Sequence, residues 1–254
     1  MIDLLLIFIV IFVAFFPSIV YMVLIRNTEK YEREPWRAVI GTFLRGAIFG
    51  VILAAIIEAI LMHAFSESSS YLRGYEVIAK NYDKISLIFL AVIVAPFVEE
   101  FTKLMCVLGA RREINELEDG FVYGASAGFG FAATENLLYE YSALATGGLI
   151  AWMVVSVMRS ISSALLHGSA TAMSGAGYSK KIMTGSGLGK GYLAAVAMHS
   201  TFNLLASIPL LIEMGDLSYL FVLLLAIAFA AIAFGYVRER IITLDRGYRM
   251  MQHT

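Results

Sequence analysis

Charge is what this sequence has least of. Only 15% of its 254 residues are Asp, Glu, Lys or Arg, while 59% are hydrophobic and the mean hydropathy is +0.78. Soluble domains carry about 25% charged residues, so a polytopic membrane protein is the class that fits. There is one cysteine, Cys106, which excludes an intrachain disulfide. No basic block occurs and the net charge is −1, so nothing marks a nucleic-acid partner. The sequence lacks H-E-x-x-H, the helical pattern that sets two metal ligands at i,i+4. It also lacks Walker spacing. Gly185-Ser-Gly-Leu-Gly-Lys-Gly191 has no strand before it and reads as a turn. Gly124-Ala-Ser-Ala-Gly128 spells G-x-S-x-G without the strand–turn–helix context of a nucleophile elbow, and helix packing is the better explanation.

What the chain does have is long apolar runs. At about 20 residues per crossing, seven candidate spans cover 4–25, 37–62, 85–110, 119–141, 149–176, 190–213 and 217–237. The first is too long for a signal-peptide core and no small-residue cleavage site follows, so it reads as a retained span. The one sizeable loop is 63–84. Thirteen of the 19 Lys and Arg residues fall on one side of these spans, among them Arg26, Arg111, Lys180 and Arg238. The positive-inside rule then sets the N-terminus outside and the C-terminus in the cytoplasm. Small residues crowd 124–133 and 168–170, as close helix packing in lipid requires. With no repeat or low-complexity tract, the expected fold is all-α: one integral-membrane domain over 1–254, a polytopic transmembrane helix bundle.

Ionisable residues inside the spans stand out against this background. Glu99, Glu100 and Lys103 lie in the third span, Glu135 in the fourth, His167 in the fifth and His199 in the sixth. A charge at the bilayer centre costs about 2.5–3.5 kcal/mol on translocon scales, so such groups face partners or a wet cavity. Helical spacing lets Lys103 reach both Glu99 (i,i+4) and Glu100 (i,i+3). The two glutamates diverge by about 100° and should serve different partners. Arg159, Ser163 and His167 share one face; His199 and Asn203 share another. At about 1.5 Å per residue from the cytoplasmic ends, Glu100, His167 and His199 lie roughly 14–15 Å deep and Glu135 roughly 24 Å, nearer the outer face. Pro96 removes a hydrogen bond one turn before the pair and should bend the helix there.

This pattern alone leaves a hydrolase and a proton- or ion-coupled transporter both open, because relays use the same side chains. Metal is open as well. Glu99 or Glu100, together with Glu135, His167 and His199, include enough donors for a zinc site with one free position. Metal-free glutamate chemistry is the other option.

Glu99-Glu100-Phe-Thr-Lys103, Phe131-Ala-Ala-Thr-Glu135-Asn136, His167 and His199-Ser-Thr-Phe-Asn203 follow one another on four helices. In this order they resemble the PrsW family of membrane-embedded proteases, relatives of the CAAX prenyl endopeptidases. Tyr31-Glu-Arg-Glu-Pro-Trp36 and Asp119-Gly-Phe-Val-Tyr-Gly124 resemble further family segments. Glu135 stands where the CAAX branch has His, which argues against a prenylated substrate. The resemblance implies an intramembrane endopeptidase of a prokaryotic cell membrane that cleaves membrane-anchored proteins, anti-sigma factors among them. It assigns catalysis to Glu99, Glu100, Glu135, His167, His199 and Asn203, supported by Lys103, Asn136 and Arg159. Glu100 is the expected base, Lys103 its counter-charge, His199 a second acid/base or oxyanion donor, and Asn203 an amide donor. The family is filed under metallopeptidases, although a metal-free glutamate mechanism is argued for related enzymes, so zinc is admitted but not required, with Glu100, Glu135, His167 and His199 as candidate ligands.

Overall fold

The computed structural model describes residues 4–68, 84–212 and 215–252, and all regular structure among them is helical. Helix α1 is Leu4–Arg26. Pro35, in extended conformation, then opens α2 (Trp36–Arg45), where its missing N–H has no partner to lose. A π-helical turn, Gly46–Gly50, joins α2 to α3 (Val51–Ser68), and a second, Phe89–Val94, leads into α4 (Ala95–Leu108). The order ends with α5 (Asp119–Ile161), α6 (Ser163–Thr184), α7 (Leu188–Leu211) and α8 (Asp216–Gln252).

Five described segments are long and apolar enough to cross a bilayer: Leu4–Arg26, Trp36–Ser66, Lys84–Leu108, Asp119–Thr184 and Leu217–Gly247. They take in six of the seven expected spans, while α7, with Lys190 and His199, falls outside the group. The expected loop at 63–84 is helical through Ser68; residues 69–83 lie outside the described residues. The outer faces are apolar. Leu4, Phe8, Phe12 and Phe16 recur at i,i+4 on α1 and are each more than half exposed. Lipid tails are as apolar as these side chains, so cohesion must come from close packing and hydrogen bonds.

The 66-residue segment is bent. Gly148 has φ +74 and ψ −165, a conformation that glycine alone takes without strain. It folds α5 back on itself, so that Trp152 Nε1 donates to Glu140 at 3.1 Å and Arg159 Nε to Asn136 at 2.8 Å. A second break at Ser162 precedes α6. The expected spans 119–141 and 149–176 therefore form a hairpin whose turn is Gly148. Its first arm runs past residue 141, and its second runs on to Thr184.

Glycine also sets how closely the arms meet. A Cβ added at Gly120, Gly124 or Gly128 would run into the backbone oxygen of Gly175, Thr171 or His167 respectively. This i, i+4, i+8 stripe fixes α5 and α6 antiparallel at backbone contact. On the opposite side of α5, Gly130 meets the Phe43 carbonyl in the same way. The central helix is thus clamped between α2 and α6, which holds the register of the residues beyond it.

Candidate active site

The glutamate pair is placed by the π-turn before it. There the Ala95 N–H bonds to Leu90 O, so in the same register the Ala91 carbonyl would look to residue 96, a proline without an N–H. Asn203 on α7 supplies the donor instead, Nδ2 to Ala91 O at 2.7 Å. Pro96 therefore creates a tether to α7 as well as a change of helical pitch. Asn203 was expected to offer its amide to the reacting centre; one of its two N–H donors goes to the backbone of the π-turn, while the side chain also lines the cavity onto which Glu99 opens.

Lys103, fully buried, gathers the centre. Its Nζ donates to Glu99 Oε2 at 3.0 Å and Glu100 Oε1 at 2.9 Å, and stands 2.7 Å from His167 Nδ1. An ammonium has three donors and no acceptor. His167 Nδ1 is then an acceptor and its proton sits on Nε2, which lies 2.8 Å from Glu135 Oε2. The same Glu135 oxygen contacts Arg159 Nη2 at 2.8 Å, and Arg159 also donates to Asn136 and Ser163. Arg159 thus links Asn136 to Glu135.

The two glutamates do separate. Glu100 has both oxygens engaged, Oε1 with Lys103 and with His199 Nδ1 at 3.0 Å, Oε2 with Thr171 Oγ1 at 2.9 Å. It has no exposed surface. Glu99 instead opens onto a cavity of about 400 Å³ whose wall includes Glu58, Glu135, Arg159, His167, His199 and Asn203. Glu100 and Lys103 are not part of that wall.

Glu135 reaches His167 although the depth count set it toward the outer face. The Gly128–His167 contact keeps the two about seven residues, or roughly 10 Å, apart along the helix axes. Side-chain reach closes the gap, because each side chain leans toward the N-terminus of its own helix and in this antiparallel pair the two lean toward each other.

Glu58 escaped the sequence reading. It is the one ionisable residue between Arg45 and His63, a signal like those given weight in later spans. Its Oε1 is buried without a hydrogen-bond partner.

The donor chemistry at this wall suits a metal. Ligand atoms of Glu99, His167 and His199 lie within 4.8 Å of one another, a His₂Glu set of the kind that holds catalytic zinc, although His167 can join it only once Nδ1 releases the Lys103 ammonium, because its Nε2–H faces Glu135. His199 Nδ1–H points at Glu100, which leaves Nε2 as the free lone pair, 3.9 Å from Glu99 Oε2. A carboxylate on the far nitrogen is the usual support for a ligating histidine. The expected ligands Glu100 and Glu135 lie outside this trio, and Glu99 takes the place of the first. The sequence could not choose between Glu99 and Glu100, because only the rotation of α4 decides which one faces the cavity.

A sequence model described as "PrsW family intramembrane metalloprotease" matches residues 34–232, which contain every residue of this site. The chain belongs to the PrsW family. Protease PrsW of Clostridioides difficile (strain 630) is 31% identical over 132 residues, 51% of this chain and 49% of that protein. The match thus spans about half the length of the curated relative. No solved structure matches. With five membrane-capable segments, this PrsW family member is a multi-pass integral membrane protein.

Proposed function

We propose that the protein is an intramembrane endopeptidase that hydrolyses peptide bonds of membrane-anchored proteins in the cavity bordered by Glu99, His167 and His199. The observation that carries this reading is the meeting of these three side chains, from three helices, at the wall of a cavity inside an apolar bundle. A transporter gains no support from the family or the relative. By the positive-inside rule the N-terminus lies outside and the C-terminus in the cytoplasm.

Glu99, His167 and His199 would hold a zinc ion, which when bound acidifies a water and polarises the scissile carbonyl. The chain's own groups do the rest. Glu100 holds the His199 ring through Nδ1, and Lys103, which must give up His167 Nδ1 when that lone pair turns to the metal, stays bonded to Glu99 and Glu100. Glu135, on the same wall and fixed by Arg159, takes the proton of the attacking water at a carboxylate oxygen and returns it to the leaving amine. Glu100 has no access to the cavity, so the role of base moves from Glu100 to Glu135.

The test is cleavage of a panel of single-span proteins reconstituted with the purified enzyme. Wild type should cleave at least one, while Glu99→Gln and Glu135→Gln should each lose about 10²–10⁴-fold in rate. Cleavage by Glu99→Gln at the wild-type rate would sink the site assignment.

A further inference from the structure

A second group of buried carboxylates lies at the other end of α5. Asp119 opens that helix, and Glu29 and Glu34 come from the connection between α1 and α2. Asp119 is 16 residues from Glu135, about 24 Å along the helix, so the group is separate from the catalytic wall. All three side chains are almost fully buried, at 1%, 1% and 4% exposure for Glu29, Asp119 and Glu34. One carboxylate oxygen from each lies within 4.8 Å of the other two.

Each carboxylate is held from outside the group. Asp119 Oδ2 accepts the backbone N–H of Asn115 and of Glu116, both at 2.7 Å. Glu29 Oε2 accepts the Glu34 N–H at 3.2 Å, and Glu34 Oε2 accepts the Tyr123 hydroxyl. Glu29 Oε1 and Asp119 Oδ1 are buried with no hydrogen-bond partner. Glu118 brings a fourth buried carboxylate, also with an unpartnered Oε1, and acts on Glu29 as a neighbouring negative charge.

The basic side chains nearby do not neutralise the group. Arg33 donates to the Glu29 carbonyl at 2.7 Å, Arg26 to the Glu34 carbonyl at 2.9 Å, and Arg37 pairs with Glu113. Among the described residues, no ion pair reaches Glu29, Glu34 or Asp119. Buried carboxylates without counter-charge are costly unless they are paired or coordinate a metal.

We infer that Glu29, Glu34 and Asp119 form a binding site for a hard divalent cation of the Mg²⁺, Mn²⁺ or Ca²⁺ class. An all-oxygen carboxylate set selects such ions over zinc, which favours nitrogen and sulfur donors. Carboxylates fixed by hydrogen bonds at one oxygen, two of them with the other oxygen buried and unpartnered, are what a preformed cage requires. The ion ties the α1–α2 connection to the start of α5, and so to the helix that carries Glu135.

The test uses the full chain in detergent, stripped with chelator and titrated with Mn²⁺ while free Mn²⁺ is read by electron paramagnetic resonance. His199→Ala protein, in which the catalytic trio is broken and the carboxylate group is intact, should take up one Mn²⁺ that excess Mg²⁺ or Ca²⁺ displaces. Adding Glu29→Gln and Asp119→Asn should remove that uptake. The melting temperature of His199→Ala should rise by several degrees with Mn²⁺, and the triple variant should not respond. If His199→Ala binds no Mn²⁺, or if the triple variant binds as much, the proposal is wrong and the group is neutralised by protons alone. The first of these outcomes does not depend on the triple variant folding.

Discussion

At the scale of single residues, the adjacent glutamates do different work although one peptide bond separates them. Glu99 touches the cavity, while Glu100 spends both oxygens on Lys103, His199 and Thr171. Glu100→Gln keeps the shape but removes the charge that supports His199 and pairs with Lys103, so cleavage should fall about 10–100-fold. Glu99→Gln should fall further in the same assay and should also lose bound zinc. If the two variants fall equally and both keep zinc, the division of labour proposed between them is wrong. Lys103 presents the opposite case, because its ammonium bonds to both carboxylates. Lys103→Met leaves them facing each other without compensation, and breaking a buried pair in this way costs on the order of 3–5 kcal/mol. Unfolding of the detergent-solubilised variant by denaturant should show that loss.

At the scale of helices, position depends on small residues and interrupted hydrogen bonding. Gly128 lets the α5 backbone touch the His167 carbonyl. Gly128→Ala must push the arms apart at the level of His167, a ligand in the proposed site. We expect a stability loss of about 1–3 kcal/mol, typical of overpacking, together with loss of cleavage. Gly189→Ala, where an added Cβ meets nothing within 4 Å, is the control and should change neither. The connection from α1 to α2 behaves differently, because burial there acts on charge. Burial, reinforced by neighbouring acids, pushes the carboxyl of Glu29 from 4.5 up to about 9, and Glu116 up to about 8. Folded protein then holds protons that unfolded chain releases above about pH 4.5. Stability should therefore be highest at the acidic end and decline as pH rises from about 5 toward 9. Melting temperatures across that range, with chelator present, check the sign; a rise with pH would contradict it.

At the scale of the whole molecule, apolar surface turns outward and the polar machinery turns inward, around a cavity reached by α3, α4, α5, α6 and α7. A catalytic metal there would be a property of that assembly, since its three proposed ligands come from α4, α6 and α7. Purified wild type should contain about one zinc per chain, and chelation should abolish cleavage that zinc restores. Full activity in metal-free protein would leave a carboxylate mechanism in its place, with Glu99 as the nearest candidate base.

The sequence by itself determined the membrane class, the helical content, and the list of ionisable residues carried at depth. These are local properties: hydropathy sums along a run, and a charge inside such a run is visible in one dimension. Motif order was local too, and it pointed to the family that the comparisons support. Rotation and register were not legible. These helices are apolar on nearly every side, so no polar face in the pattern says which way a residue points. Two π-turns, at Gly46–Gly50 and Phe89–Val94, then change the rotation of the residues that follow. Tertiary structure alone decided that Glu99 rather than Glu100 meets the cavity, that Glu135 reaches His167, that Asn203 holds a backbone carbonyl, and that Glu58 joins the wall. It also brought Glu29, Glu34 and Asp119 together from opposite ends of a long stretch of chain. The physical reason is that backbone contact at glycines and an orphaned carbonyl before Pro96 fix helix position, and both depend on partners distant in sequence.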